Sequence, residues 1–170
     1  MLQAHDIKRG KDLPPLSEFF RDKKITDSLI AVASLKGYRQ IYIAKYLTVS
    51  PATITRRVKK TMAKQLLFYK IKQQGLFWSY SKDIEYSEAN DELIIEQVLK
   101  YGDFIDLKKI FSLYGKRAVK RIWIEKLVKD TRFIKLNYFL ARNFFGMDIE
   151  ADFFKGGISD REQKLRMLAS

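Results

Sequence analysis

No cysteine occurs anywhere in the chain, which rules out a disulfide framework and any thiolate metal site and leaves nothing that points to an oxidising compartment. Histidine is nearly as scarce. The single one, His5, stands alone in a polar stretch that reads as an arm, so a His-based metal cluster lacks its ligands and no nucleophile motif accompanies the histidine. The longest apolar run, Leu29 to Ala33, falls far short of the ~20 residues a membrane-spanning helix needs. The opening MLQAHDIKRGKDLPP lacks a signal-peptide core. A cytoplasmic protein with no membrane contact and no cofactor is the expectation, and a non-enzymatic function is favoured.

A further absence is local. From Ser28 to Lys82, 55 residues pass without one Asp or Glu, against eleven Lys or Arg. Solvated surfaces ordinarily mix signs, so this exclusion points to a polyanionic partner. Residues 1 to 75 carry 16 basic and 5 acidic side chains, a balance of +11, while residues 76 to 170 carry 17 and 15, a balance of +2. Nearly all of the formal +13 therefore lies in the first half, and two small domains with different tasks are expected.

Within the basic half, GYRQIYIAKYLTVSPATITRRVKK at 37–60 reads as a helix-turn-helix. Ile41, Ala44 and Leu47 are the expected inner face of its first helix, Val49 the apolar plug of the turn, and Ser50 the cap of the second helix, with Pro51 at its first position. Thr48 stands where glycine would suit a left-handed turn, at a cost of ~1 kcal/mol if that conformation is adopted. Ile54 and Val58 should be buried. Arg39, Ser50, Ala52, Thr53, Thr55, Arg56, Arg57, Lys59 and Lys60 are the candidate DNA contacts: small polar groups near the helix start for base edges, cations beyond for phosphates.

Around this element, 1–13 reads as a basic arm and 14–62 as the DNA-binding domain. Pro14-Pro15 precede a short helix bearing Leu16, Phe19 and Phe20, and a supporting helix over 23–36 has Ile25, Leu29, Val32, Ala33 and Leu35 as its stripe and Gly37 as its stop. Residues 63–76 read as a helical linker ended by Gly75. The loop LFWSYSKDIEYSEA opens a second domain, 77–152, of four helices. Their expected inner faces are Leu93, Ile94, Val98, Leu99 and Tyr101, then Ile105, Leu107, Ile110, Phe111 and Leu113. Val119, Ile122, Trp123, Leu127 and Val128 follow, and then the aromatic run Phe133 to Phe145. Residues 153–170 form the tail, with a short helix at 161–168. The fold class is thus all-α, a helix-turn-helix domain followed by a small helical bundle.

The segment Lys11 to Lys60 resembles the C-terminal tail of REP-associated tyrosine transposases, through Gly37-Tyr38, Ile43-Ala44, Tyr46-Leu47, Ser50, Thr53-Ile54, Arg56 and Lys59. Those transposases cut DNA with a Tyr nucleophile and a His-x-His metal site. With His5 as its one histidine, this chain keeps the part of the resemblance that implies DNA binding without cleavage. The second half, Leu76 to Ile149, resembles a helical module found beside abortive-infection-type nucleotidyltransferase toxins, through FWSY (77–80), YGD (101–103), LYG (113–115) and RFxKLNYFLAxxFF (132–145). That resemblance implies an antitoxin.

Sixteen of the 23 aromatic residues lie in the second half, more than a small bundle needs for its core. Phe77, Trp78, Tyr80, Phe153 and Phe154 are the surplus, either anchors for a protein partner or staples that tie loop and tail to the bundle. The acidic pairs Asp91-Glu92 and Asp103 with Asp106 stand where helices begin, so capping explains them better than a metal does. The expectation is a sequence-specific binder of double-stranded DNA, an antitoxin and autoregulatory repressor whose second domain meets a nucleotidyltransferase-type toxin; a homodimer is compatible with it. The alternatives are a domesticated transposase-derived DNA-binding factor without a toxin, and, least favoured, an enzyme acting on nucleic acid.

Overall fold

Three helix ends close with the same pair of backbone hydrogen bonds, and they set the order of the chain. In each, one residue beyond the helix takes a left-handed conformation, so that the last carbonyls meet N–H donors instead of being left open. After the second helix Gly37, at φ +102°, donates to Ser34, and Tyr38 donates to Ala33. After the fourth, Gly75, at φ +74°, donates to Lys72, and Leu76 donates to Ile71. Between them Thr48 does the same with a side chain: at φ 54° it donates to Lys45 while Val49 donates to Ala44. The left-handed conformation that glycine would take there at lower cost is thus adopted by Thr48.

The computed structural model describes residues 13–80, 83–150 and 153–154. Among them are eight α-helices and two short 3₁₀ turns, and no strand, which is the expected all-α class. The helices are α1 (Leu16–Phe19), α2 (Asp27–Leu35), α3 (Gln40–Tyr46), α4 (Pro51–Gln73), α5 (Asp91–Tyr101), α6 (Phe104–Tyr114), α7 (Lys116–Lys126) and α8 (Ile134–Asn143). The basic arm, except for residue 13, and the tail helix expected at 161–168 lie outside the described residues.

Two compact units divide the chain, Met1–Leu67 and Phe68–Ser170. The boundary falls inside α4. The stretch expected as a helical linker, 63–76, is helical as far as Gln73, as the last part of α4, and its Leu67, Phe68 and Ile71 are buried.

In the first unit Leu16, Phe19 and Phe20 of the α1 region close over Ile30, Ala33, Tyr38, Ile43, Ala44, Ile54 and Val58. Tyr38 donates its hydroxyl to the Pro14 carbonyl at 2.5 Å and packs its ring 5.2 Å from Phe19. Burial, with the Glu18 carboxylate second, raises the pKa of that phenol. The inner face of α2 differs from the expected one. Ile30, Ala31 and Ala33 are buried, whereas Ile25, Val32 and Leu35 are exposed. The helix is apolar on nearly every side, so period alone could not choose, and the alanines are the residues small enough for close approach of a neighbouring helix. Ile41 is likewise exposed, and Ile43 with Ala44 takes the inner face of α3.

In the second unit α5, α6 and α7 pack against one another. Asp103 starts α6 by accepting the Asp106 N–H at 2.7 Å. The face of α7 is as expected, with Val119, Ile122, Trp123, Leu127 and Val128 all buried. Trp123 stacks on Phe145 with ring centroids 4.6 Å apart and donates its indole N–H to Asn137 Oδ1 at 2.9 Å. Asn137 in turn donates to the Leu127 carbonyl at 3.0 Å, so this fully buried amide of α8 has partners on both sides. Tyr101 and Ile105, expected inside, are exposed. Ile105 sits a half-turn from Leu107 on α6, and the buried positions of that helix are Asp106, Leu107 and Ile110.

Candidate nucleic-acid interface

Ser50 opens α4: its Oγ accepts the Thr53 N–H at 3.2 Å and lies 2.9 Å from the Thr53 hydroxyl. Pro51 follows as the first helical residue, where a missing N–H removes nothing. Ile54 and Val58 then fix the rotation of the helix, because both are buried in the first unit. At ~100° per residue, Ala52, Arg56 and Lys59 fall ~140–200° away from Ile54, on the side opposite the core, with Lys60 beside them. All four are exposed.

Two of the expected contacts are committed elsewhere, and two more are partly so. Arg57, ~60° from the buried stripe, donates from Nε to Asp27 Oδ1 in the first turn of α2. It is an ion-paired bridge between helices and not a free cation. Thr55 donates its hydroxyl to Gln40 Oε1 at 2.7 Å, with the Pro51 carbonyl at 3.1 Å. Gln40 also donates to the Ser34 hydroxyl at 3.3 Å. Gln40 therefore ties the start of α3 both to α2 and to α4, a role no motif signalled; its polar side chain at the first position of an otherwise apolar-faced helix was the only hint. Ser50 and Thr53 spend part of their hydrogen-bonding capacity on each other. Arg39, just before α3, is exposed with its guanidinium carbon 5.8 Å from the centre of the Tyr42 ring.

The charge on this face is one-sided. Between residues 13 and 67 there are three carboxylates, Glu18, Asp22 and Asp27, against eleven cations. Lys23 donates to the Phe19 carbonyl, and both Lys23 and Lys36 lie over the Phe19 ring. Among the described residues no carboxylate pairs with Arg56, Lys59 or Lys60 within salt-bridge distance.

The second unit offers less than its aromatic surplus promised. Phe77 is buried with its ring 5.0 Å from Phe68, and Phe154 is buried with its ring 6.0 Å from Trp123. Both are staples, since neither can meet a partner without leaving the core. Phe153 is half-buried against Phe154, and Tyr80 packs edge-on to Phe77 while staying 42 % exposed. Trp78 alone of the five stands open, at 77 % exposure.

The acidic pairs have cationic or phenolic partners. Asp103 and the fully buried Asp106 share the ammonium of Lys70, at 3.1 Å and at 2.6 Å. Hydrogen bonds from the Asp106 N–H and Lys70 hold the Asp103 carboxyl below its ordinary pKa, and those to both carboxylates raise that of Lys70. Glu92 is bonded to Arg121 at 2.8 Å. The N-cap of α5 is Asn90, whose side chain makes no cap hydrogen bond; Asp91 stands in the first turn and accepts the Tyr114 hydroxyl at 3.0 Å. Burial, reinforced by that carboxylate, raises the Tyr114 pKa. Among the described residues no group of three or more His, Asp or Glu is placed to hold a metal ion, and no helix is long and apolar enough to cross a membrane. No family model, curated protein or solved structure matches the chain.

Proposed function

We propose that the first unit binds double-stranded DNA, with the N-terminal half of α4 as its recognition helix in the major groove. The observation that carries this reading is the exposed face of α4 opposite Ile54 and Val58, where Arg56, Lys59 and Lys60 stand with no carboxylate among the described residues to neutralise them. A major groove ~12 Å wide admits one α-helix. Arg56, with Ala52 and Thr53 toward the helix start, faces base edges; Lys59 and Lys60 meet phosphates, and Arg39 adds a cation from the start of α3. Ser50, Thr55 and Gln40 hold the helix in place.

The salt dependence of duplex binding tests it, because phosphate contacts release counterions. Affinity should fall at least tenfold between ~50 and ~200 mM salt if several phosphates are neutralised. Arg56→Ala or Thr53→Ala should erode preference for the best site by ~1–3 kcal/mol, whereas Lys59→Ala and Lys60→Ala should weaken all duplexes alike. A flat salt response would remove the reading.

The second unit extends the proposal to an antitoxin that autoregulates its own locus. Its support is the resemblance of Leu76 to Ile149 to toxin-adjacent modules, together with the open ring of Trp78, a residue type that dominates protein interfaces when exposed. Co-purification of the full chain with the product of the adjacent gene tests this, and loss of the complex on Trp78→Ala is the expected result. With no such complex, the DNA-binding factor stands without a toxin.

A further inference from the structure

We propose that Arg57 is a reserve phosphate contact, held by Asp27 in the free protein and handed to the DNA backbone when a duplex docks on α4. This rests on the DNA-binding reading of the first unit. Thr53, Arg57 and Lys60, spaced at i, i+4 and i+7, share one edge of α4. That edge borders the exposed ridge of Arg56 and Lys59, so the stem of Arg57 starts where a backbone strand beside the groove would pass. Its present contact runs through Nε, and the two terminal amino groups form the fork that closes on a phosphate.

The pair is built to open easily. The side chains of Arg57 and Asp27 are 32 % and 41 % exposed, so water can take over either charge. Asp27 does not depend on Arg57 for its place. It sits in the first turn of α2, where Thr26 caps the helix by accepting the Leu29 N–H at 3.2 Å and the helix dipole favours a carboxylate. Asp27 is also the last acidic residue before the acid-free stretch that begins at Ser28. A carboxylate so placed competes with phosphate for Arg57, and the exchange is favourable only once the neighbouring contacts hold the backbone in position. The pair thereby lowers the attraction of the free protein for arbitrary polyanions while keeping Arg57 ordered.

Salt titrations of duplex binding by fluorescence anisotropy, on the full chain, test the exchange. Arg57→Gln should reduce the slope of log affinity against log salt by ~1, the change for one lost phosphate contact. Arg57→Lys should keep the wild-type slope. Asp27→Asn, which removes the competitor, should raise low-salt affinity up to ~fivefold, the equilibrium ratio of an exposed ion pair, with the slope unchanged. Thermal melts confirm that each variant is folded, and if Arg57→Gln is not, the other two decide. An unchanged slope in Arg57→Gln, or unchanged or weaker binding by Asp27→Asn, would overturn the exchange while Lys59→Gln still lowered the slope. A wild-type protein whose binding ignores salt would instead remove the interface itself.

Discussion

Lys70, in the last turn of α4, sets its ammonium 2.7 and 2.6 Å from the two carboxylate oxygens of Asp106, whose side chain has no exposure at all. A buried carboxylate is tolerated only with a partner, and removing that partner leaves an uncompensated charge in the core. Lys109, 3.8 Å away and half exposed, is too distant and too well hydrated to substitute. Lys70→Met should therefore lower the melting temperature of the second unit by ~10 °C, and Lys109→Met should barely move it. The double variant Lys70→Met with Asp106→Leu should recover most of the loss, because the charge itself is gone. A double variant no more stable than Lys70→Met would show that the packing of the lysine stem, and not charge compensation, is what counts.

Thr48 gives a prediction of opposite sign. Its φ of 54° puts a β-branched side chain in the left-handed region, where L-residues are disfavoured by ~1–2 kcal/mol and glycine is not. Part of that gain is lost to the larger freedom of glycine in the unfolded chain. Thr48→Gly should stabilise the first unit by ~0.5–1 kcal/mol in a denaturant titration, with the salt slope of DNA binding unchanged, since Thr48 is on neither face of α4.

Asp130 supplies a pH test. Hydrogen bonds from the Arg132 guanidinium hold its carboxyl at about 2, against an ordinary 3.8. A carboxylate whose folded pKa is depressed adds stability that is present above the unfolded value and lost as pH falls through the folded one. The contribution is therefore full above pH 4 and disappears toward pH 2. Arg132 is highly exposed, so the effect is small and screened by salt. Melts of wild type and Asp130→Asn should differ at neutral pH and converge near pH 2; a gap that stayed constant over that range would contradict the shift.

What the chain announced, and what it withheld, divides along physical lines. The bounds of α6 were readable because Asp103 caps one end and Gly115 closes the other, at φ +83°. The face of α7 was readable because its apolar residues alternate cleanly with Lys and Arg. On α2 the sequence SLIAVASL is apolar all round, so the buried side was chosen by neighbouring helices and not by any period, and Val32 and Leu35 face water instead. The α4 face was legible through Ile54 and Val58. The roles of Arg57, Thr55 and Lys70 were not, because Asp27, Gln40 and Asp106 lie 15 to 36 residues away along the chain and single polar pairings at that range leave no periodic trace. The aromatic residues of loop and tail were ambiguous for a related reason: a ring that staples and a ring that docks have the same composition.

The fate of those rings is the last prediction. Phe77 and Phe154 are buried against Phe68 and Trp123, while Trp78, next to Phe77 in sequence, is 77 % exposed. Deleting a buried phenyl removes its transfer free energy and leaves a cavity, at ~3–5 kcal/mol. Deleting an exposed indole removes little from the folded state. Phe77→Ala and Phe154→Ala should each lower the melting temperature of the second unit by ~10 °C or more, and Trp78→Ala should leave it within ~2 °C of wild type. Intrinsic fluorescence separates the two tryptophans in the same experiment. Trp123 is fully buried and hydrogen-bonded to Asn137, so in the Trp78→Ala protein acrylamide should quench the remaining emission poorly, and in Trp123→Phe it should quench it strongly. Equal quenching of the two would place Trp78 under cover and remove it as a docking residue.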